Sequence, residues 1–182
     1  ENDPGGVRDC VLDAVEPELA RDLRAGVDTQ RWYPVSVYAS FLRRIDEHLG
    51  CGDLTLIREL GRISARESFT GAFRMFFKAG SPAIAMSSAP IIWRRLFDAG
   101  RIELELESLP DGKRYHMFVL DFDEGEKVRE VVVRLLEGWV EAGLEMTGAR
   151  RVRVERVLPP SRPDAWCELC GAWETGGAPR RV

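Results

Sequence analysis

Apolar residues recur at helical spacing from the start of the chain. Between residues 8 and 25, Leu12, Val15, Leu19 and Leu23 follow one another at intervals of three, four and four. Such spacing is typical of one buried helix face. Pro17 lies inside the pattern, and an interior proline removes a backbone donor and clashes with the preceding turn. The segment is therefore predicted to be a helix that breaks and restarts at Pro17.

Further helical stripes follow up to residue 100. Gly50 and Gly52 predict the end of the first of these helices, and Asp53 predicts the N-cap of the second. Gly80 and Gly100 predict the ends of the third and the fourth. The apolar positions of these four predicted helices are Val37, Phe41, Leu42, Ile45 and Leu49; Leu54, Ile57 and Leu60; Phe69, Phe73, Phe76 and Phe77 within about 67–79; and Ile92, Trp93, Leu96 and Phe97.

The apolar period then changes from 3.6 to 2. Residues 102–107 alternate between apolar residues and Glu, which predicts a strand with one buried and one solvated face. Pro110-Asp111-Gly112 is a turn signal, and 114–122 reads as the partner strand of a hairpin. On that strand we expect His116, Phe118, Leu120 and Phe122 to share one apolar side.

The remaining sequence predicts one long helix and two strands. The helix spans about 125–147, and the strands span 151–158 and 166–174. The predicted class is α+β: about five N-terminal helices, then an antiparallel sheet of about four strands with a long helix (β-β-α-β-β) packed on it. We expect residues 1–6 to be a disordered segment, 7–174 a single domain and 175–182 a flexible tail. If the strands share a solvated face, Arg151 and Arg153 are placed opposite Glu103, Glu105 or Glu107.

Composition excludes several classes of protein. Among 182 residues, 26 Lys and Arg stand against 30 Asp and Glu, and the net charge of -4 does not favour binding to nucleic acid, which usually selects a basic face. A hydrophobic fraction of 45% is too high for a disordered chain. No run of 18 apolar residues is present, so no membrane span is predicted. Four scattered cysteines favour a reducing, cytoplasmic location.

Cys167 and Cys170 have the spacing of half a zinc site. A structural zinc needs about four ligands, and only singly placed Cys and His residues are left to complete the set. Residues three apart in a regular strand also point to opposite faces. Two ordinary strand cysteines are therefore the first interpretation, with zinc or redox use of Cys167 and Cys170 the alternative.

The two histidines do not form a catalytic set with a nucleophile. His48 is expected at a helix C-terminus and His116 on the apolar face of a strand. His116 is interpreted as a hydrogen-bonded core residue, with contact to a ligand as the alternative. No nucleophile elbow, HExxH motif or phosphate loop is present, so no enzymatic activity is predicted.

A cluster of aromatic residues falls on two successive helices before the hairpin. Core filling is the first interpretation, and an apolar ligand pocket between these helices and the sheet is the alternative. The candidate pocket residues are Phe73, Phe77, Trp93, Phe97, His116 and Trp139.

The order of elements and several short motifs resemble a known superfamily. The second half has a helix ending in residues 93–100, a hairpin, a long helix with Gly138-Trp139-Val140, and a last strand with Cys167, Cys170, Gly171 and Trp173. The first half has Trp32-Tyr33-Pro34, Gly52-Asp53 and Leu60-Gly61-Arg62. Over about residues 30–174 the chain resembles the superfamily that joins vinyl-reductase-type with haem-NO-binding domains, in particular an uncharacterised myxobacterial group.

The resemblance implies a compact α+β sensor or protein-interaction domain with an internal pocket, and homodimers or protein partners. Haem-binding members carry a helical His and a Tyr-x-Ser-x-Arg motif. That motif is absent here, so haem is not expected. The predicted function is the sensing of a small apolar molecule without catalysis. The alternative is a homodimerisation or scaffold domain with a filled core.

Overall fold

The protein is described by a computed structural model that covers residues 6–13, 17–26, 28, 31–70 and 81–175. The helices in these ranges are α1 (Val7–Leu12), α2 (Pro17–Ala25), α3 (Val35–Leu49), α4 (Thr55–Thr70), α5 (Pro82–Ser87), α6 (Ala89–Leu96) and α7 (Glu126–Met146). The strands are β1 (Arg101–Leu109), β2 (Gly112–Leu120), β3 (Ala149–Val157) and β4 (Ala165–Thr175). The predicted α+β class with its β-β-α-β-β second half is confirmed.

The four strands form one antiparallel sheet in the order β1-β2-β4-β3. β1 and β3 therefore lie at opposite edges of the sheet. The predicted pairing of Arg151 and Arg153 with the glutamates of β1 is wrong for this reason. Arg151 instead lies 3.0 Å from a carboxylate oxygen of Glu174 on the neighbouring strand β4.

β2 is buried on both faces. Tyr115, Met117 and Val119 point to the inner face, where they belong to the main core beneath α7. Phe118 and Leu120 point to the outer face and form a smaller core with Ala165. A strand that is apolar on both faces does not alternate between apolar and polar residues, so its sequence does not show which face packs against the helices.

Phe122 does not share the side of His116, Phe118 and Leu120. β2 ends at Leu120, after a register shift between Val119 and Leu120. Beyond this point the period of two no longer applies, and Phe122 joins the inner core.

Helices α4 and α7 cross at a pair of glycines. A Cβ atom on Gly61 would lie 2.1 Å from the carbonyl oxygen of Leu135, and one on Gly138 would lie 1.9 Å from that of Arg58. Each helix therefore rests on the backbone of the other. Arg62, with contacts of 2.9 Å to Glu141 and 2.8 Å to Glu145, adds ion pairs beside this crossing.

The turn between α3 and α4 is built around the buried side chain of Asp46. Its carboxylate accepts hydrogen bonds from the backbone N–H groups of Leu54, at 2.8 Å, and Leu56, at 3.2 Å. Asp53, the predicted cap, accepts one from Thr55 at 2.9 Å. These bonds satisfy donors at the start of α4 that have no partner within the helix.

Two helix boundaries concern the sequence predictions. The predicted break at Pro17 is confirmed by the separate helices α1 and α2. Helix α4 continues to Thr70, so the predicted separate start near residue 67 is wrong. Most of the predicted 67–79 helix, and nearly all of the two predicted terminal segments, lie outside the described residues. None of the described helices has the length and hydropathy needed to cross a membrane.

Candidate functional site

A cavity of about 460 Å³ lies between helices α3, α6 and α7 and the inner face of the β1–β2 hairpin. Its floor is made by Ile102, Met117 and Val132, which are 6%, 0% and 2% exposed. These side chains come from β1, β2 and α7 respectively, so the sheet and the long helix together close the deep end. The side chains of these three floor residues are apolar, and Met117 adds a polarizable sulfur.

Trp93 forms a fixed wall of the cavity. Its indole N–H donates a 3.0 Å hydrogen bond to the carbonyl of Ala99, which is just beyond the end of α6. The ring stacks on Phe97 with centroids 4.4 Å apart and meets Phe122 edge-on at 6.1 Å. Held on three sides, Trp93 presents a preformed aromatic surface.

The loop before α3 supplies part of the cavity mouth. Arg31, Trp32, Tyr33 and Tyr38 all line the cavity, and Trp32 is 56% exposed. The Arg31 guanidinium lies 5.4 Å from the centroid of the Tyr33 ring and pairs with Asp22 at 2.7 Å. Partial desolvation raises the pKa of Tyr38, so its phenol is neutral at physiological pH.

The other side of the mouth comes from α6 and the residues that follow it. Arg95, Leu96 and Asp98 line the cavity there and are exposed. The site therefore runs from an apolar floor to a mouth that carries aromatic and charged groups.

The structure brings together only part of the predicted pocket. Trp93, Phe97 and Trp139 line the cavity. Phe73 and Phe77 lie outside the described residues. His116 lies on the outer face of the sheet and does not line the cavity, because it alternates with Tyr115 and Met117, which point inward.

Several lining residues were not predicted as site residues. In the sequence, the Trp32-Tyr33-Pro34 motif indicates only the family resemblance, yet Trp32 and Tyr33 line the mouth of the cavity. Two adjacent aromatic residues before a proline, in a predicted loop, are the sequence signal that marks them. The lining residues not predicted are Arg31, Trp32, Tyr33, Val35, Tyr38, Ser64, Ala89, Ile92, Arg95, Leu96, Asp98, Ile102, Met117, Val132, Leu135 and Leu136.

His116 belongs to a polar cluster on the outer face of the sheet, separate from the cavity. Its Nδ1 lies 2.7 Å from a carboxylate oxygen of Glu168, a residue only 1% exposed. The other carboxylate oxygen accepts a 2.6 Å hydrogen bond from the backbone N–H of Ser161. Burial alone raises the pKa of Glu168, but the bonds from Ser161 and His116 outweigh it, and the net pKa is below its ordinary value. Cys170 places its Sγ 3.9 Å from Nε2 of His116.

Cys167 and Cys170 point to opposite faces of β4. Cys167 is fully buried in the inner core, where desolvation raises its pKa to about 12, whereas Cys170 is partly exposed beside His116. The pair is therefore not brought together to hold one ion. Over the described ranges, no group of three His, Cys, Asp or Glu side chains is arranged to hold a metal.

Comparison with solved structures finds haem-NO-binding (H-NOX) proteins. The Fe(II) unliganded H-NOX protein from K. algicida is 12% identical with a TM-score of 0.59, and the match covers 96% of this chain and 88% of that one. An H-NOX structure in which haem distortion was probed is 12% identical with a TM-score of 0.60, covering 93% and 86%. A point mutant of T. tengcongensis H-NOX is 13% identical with a TM-score of 0.55, covering 93% of each chain.

The fold is therefore H-NOX-like. At this level of identity the similarity shows the fold alone. No protein-family model and no curated protein sequence matches the chain.

Because the fold is H-NOX-like, we tested whether the cavity has a residue that could serve as the axial ligand of a haem. Haem iron in proteins is held by His, Cys, Met or Tyr. The chain has two histidines: His48 is exposed near the end of α3, and His116 is on the far side of the sheet. Among the described lining residues there is no Cys either, and those with a possible donor atom are Tyr33, Tyr38 and Met117. The described cavity does not fit a histidine-ligated haem.

Proposed function

We propose that this chain is a non-enzymatic, cytoplasmic sensor domain that binds a small apolar molecule in the cavity between α3, α6, α7 and the hairpin. The H-NOX-like fold supports a ligand-binding role for the domain. The observation that carries the proposal is the cavity itself, since about 460 Å³ falls within the usual range of small-molecule sites, roughly 300–1,000 Å³. We also propose that the chain is related to the vinyl-reductase-type branch of the superfamily.

The graded polarity of the cavity indicates how a ligand lies in it. The floor of Ile102, Met117 and Val132 selects an apolar body, because a buried polar group there would lose its hydrogen bonds to water. The mouth, with Arg31 and Arg95, accepts a polar end that stays close to solvent. Phe73 and Phe77 stay predicted contacts of the same ligand.

The proposal is tested by filling the cavity. Leu136 lines the cavity from α7 and is partly buried, so Leu136→Trp places a large ring inside it. Wild-type protein should enhance the fluorescence of the apolar probe N-phenyl-1-naphthylamine and gain thermal stability with it. The Leu136→Trp variant should weaken this binding by at least about tenfold, which corresponds to roughly 1.4 kcal/mol.

The matched control is Leu49→Trp, at an exposed position near the end of α3 that does not line the cavity. It should bind the probe as the wild type does. Wild-type protein that shows neither fluorescence enhancement nor a thermal shift, and that carries no small molecule in native mass spectrometry, would contradict the proposal.

The alternative is a homodimerisation or scaffold domain. It is favoured by three exposed apolar side chains on α5 and α6: Ile84 at 49%, Ile91 at 43% and Leu96 at 43%. Light scattering that shows a stable dimer, together with absence of probe binding, would favour this function over ligand sensing.

A further inference from the structure

The outer face of the sheet carries a chain of three side chains from two neighbouring strands. His116 on β2 and Cys170 on β4 are direct cross-strand partners, and Glu168 lies two residues before Cys170 on the same strand and face. The Sγ···Nε2 distance is 3.9 Å and the Nδ1···Oε1 distance is 2.7 Å. A thiol, an imidazole and a buried carboxylate therefore lie in sequence, on the side of the sheet away from the cavity.

The hydrogen bonds around Glu168 determine which nitrogen of His116 carries the proton. An ionised carboxylate only accepts hydrogen bonds, and the bonds from Ser161 and His116 favour the ionised form. The neutral form of His116 therefore holds its proton on Nδ1, which leaves the lone pair of Nε2 on the side of the Cys170 thiol. This is the arrangement of a nucleophile, a base and the group that orients the base.

We infer that Cys170, His116 and Glu168 form a base-assisted nucleophilic thiol that adds to small Michael acceptors such as α,β-unsaturated carbonyl compounds. Cys170 is the nucleophile, His116 the base and Glu168 the positioning residue. The site is independent of the cavity proposed for the sensor ligand.

The addition is balanced without any other reactant. The proton of the thiol moves to Nε2 of His116, and the sulfur electron pair forms a bond to the β-carbon of the acceptor. The π electrons of the C=C bond move towards the carbonyl. The α-carbon then takes the proton back from the imidazolium, so the product is a thioether and His116 is neutral again.

The surroundings of Cys170 keep it protonated, so its reaction requires His116 as a base. Desolvation raises the pKa of Cys170, and the charges of Glu168 and Glu155 raise it further against the opposing effect of Arg114. The group is therefore a thiol at neutral pH, and its reaction depends on proton removal by His116. Both side chains are within reach of a reagent, since Cys170 is partly exposed and the His116 side chain is 35% exposed.

The outer strap, residues 158–164, forms one wall of this site. The Arg162 guanidinium lies 5.0 Å from the centroid of the Phe118 ring and 2.5 Å from Glu103. Phe118 in turn stacks beside His116 with centroids 6.3 Å apart. The strap thus holds an aromatic surface against the base.

The experiment measures the rate of acrylamide addition to each cysteine by peptide mass spectrometry at pH 7. In His116→Gln, the rate at Cys170 should fall by about 10²-fold, the lower range for loss of a general base. Cys10 and Cys51 are exposed and serve as internal controls whose rates should not change. Free imidazole added to His116→Ala should restore part of the Cys170 rate.

Glu168→Gln tests the positioning role. The glutamine amide can donate to Nδ1, which moves the proton of His116 to Nε2 and removes the acceptor for the thiol. The Cys170 rate should fall, and nitrogen NMR of His116 should report the changed tautomer. A Cys170 rate in folded His116→Gln within twofold of the wild-type rate, or no addition at Cys170 in the wild type while Cys51 reacts, would overturn the inference.

Discussion

Asp46 and Glu168 are buried carboxylates that hold loops in place through backbone N–H groups. Asp46 accepts from Leu54 and Leu56 at the start of α4. Glu168 accepts from Ser161 in the outer strap and from the His116 ring. Removing such a partner leaves buried donors without a hydrogen bond, at a cost of roughly 1–3 kcal/mol.

Glu168 should make the stability of the protein depend on pH. Its folded-state pKa is below the ordinary value of 4.5, so the stabilisation is present above pH 4.5 and is lost as the pH falls through the lowered pKa. Replacement by Gln should therefore reduce the free energy of unfolding at pH 7 more than at pH 3, as measured by urea denaturation. Equal losses at both pH values would count against an ionised Glu168.

At the scale of elements, the α4–α7 crossing depends on the absence of two side chains. Gly61 and Gly138 each face a backbone carbonyl of the other helix at a distance that no Cβ atom tolerates. The crossing also positions the cavity, because α7 supplies Val132, Leu135 and Trp139 to its lining. Separation of the two helices would therefore disturb both the core and the site.

Gly138→Ala should destabilise the protein by about 1–3 kcal/mol, the usual cost of forcing an extra carbon into a filled contact. Chemical denaturation gives the change in the free energy of unfolding. Gly125→Ala is the control, since a Cβ atom at Gly125 meets nothing within 4 Å. That variant should stay within about 1 kcal/mol of the wild type. A Gly138→Ala variant as stable as the control would show that the helices separate freely.

At the scale of the whole molecule, the sheet separates two sites of different chemistry. The inner face closes the apolar cavity beneath α7, and the outer face carries the Cys170–His116–Glu168 chain under the outer strap. The fold is H-NOX-like, but neither histidine of this chain lines the cavity between its helices and sheet.

Haemin added to the purified protein should therefore give no absorption spectrum of histidine-ligated haem. A His48→Ala, His116→Ala double variant should behave in the same way as the wild type in this titration. Stoichiometric haem binding that is lost in the double variant would contradict the expected position of the histidines and favour a haem sensor.

Over the described residues, the amino-acid sequence by itself determined most of the elements of this protein and some of their boundaries. The change of period after residue 100 predicted the hairpin, Pro17 predicted the break between α1 and α2, and the apolar stripe of 125–147 predicted α7. It also placed Trp93, Phe97 and Trp139 among candidate pocket residues, because aromatic residues on apolar helix faces turn inward. These features depend on neighbours within one or two turns, and such contacts are encoded by spacing.

Only the tertiary structure decided which elements meet. His116 is 52 residues from Glu168 and 54 from Cys170 along the chain, and they meet because β2 pairs with β4 instead of β3. The same strand order separates Arg151 from the glutamates of β1. A period of two shows that residues share one face of a strand. Which face of the sheet they occupy, and which strand pairs with theirs, depends on burial summed over the whole sheet. For that reason the sequence does not show that His116, a candidate pocket residue, lies on the side of the sheet away from the cavity.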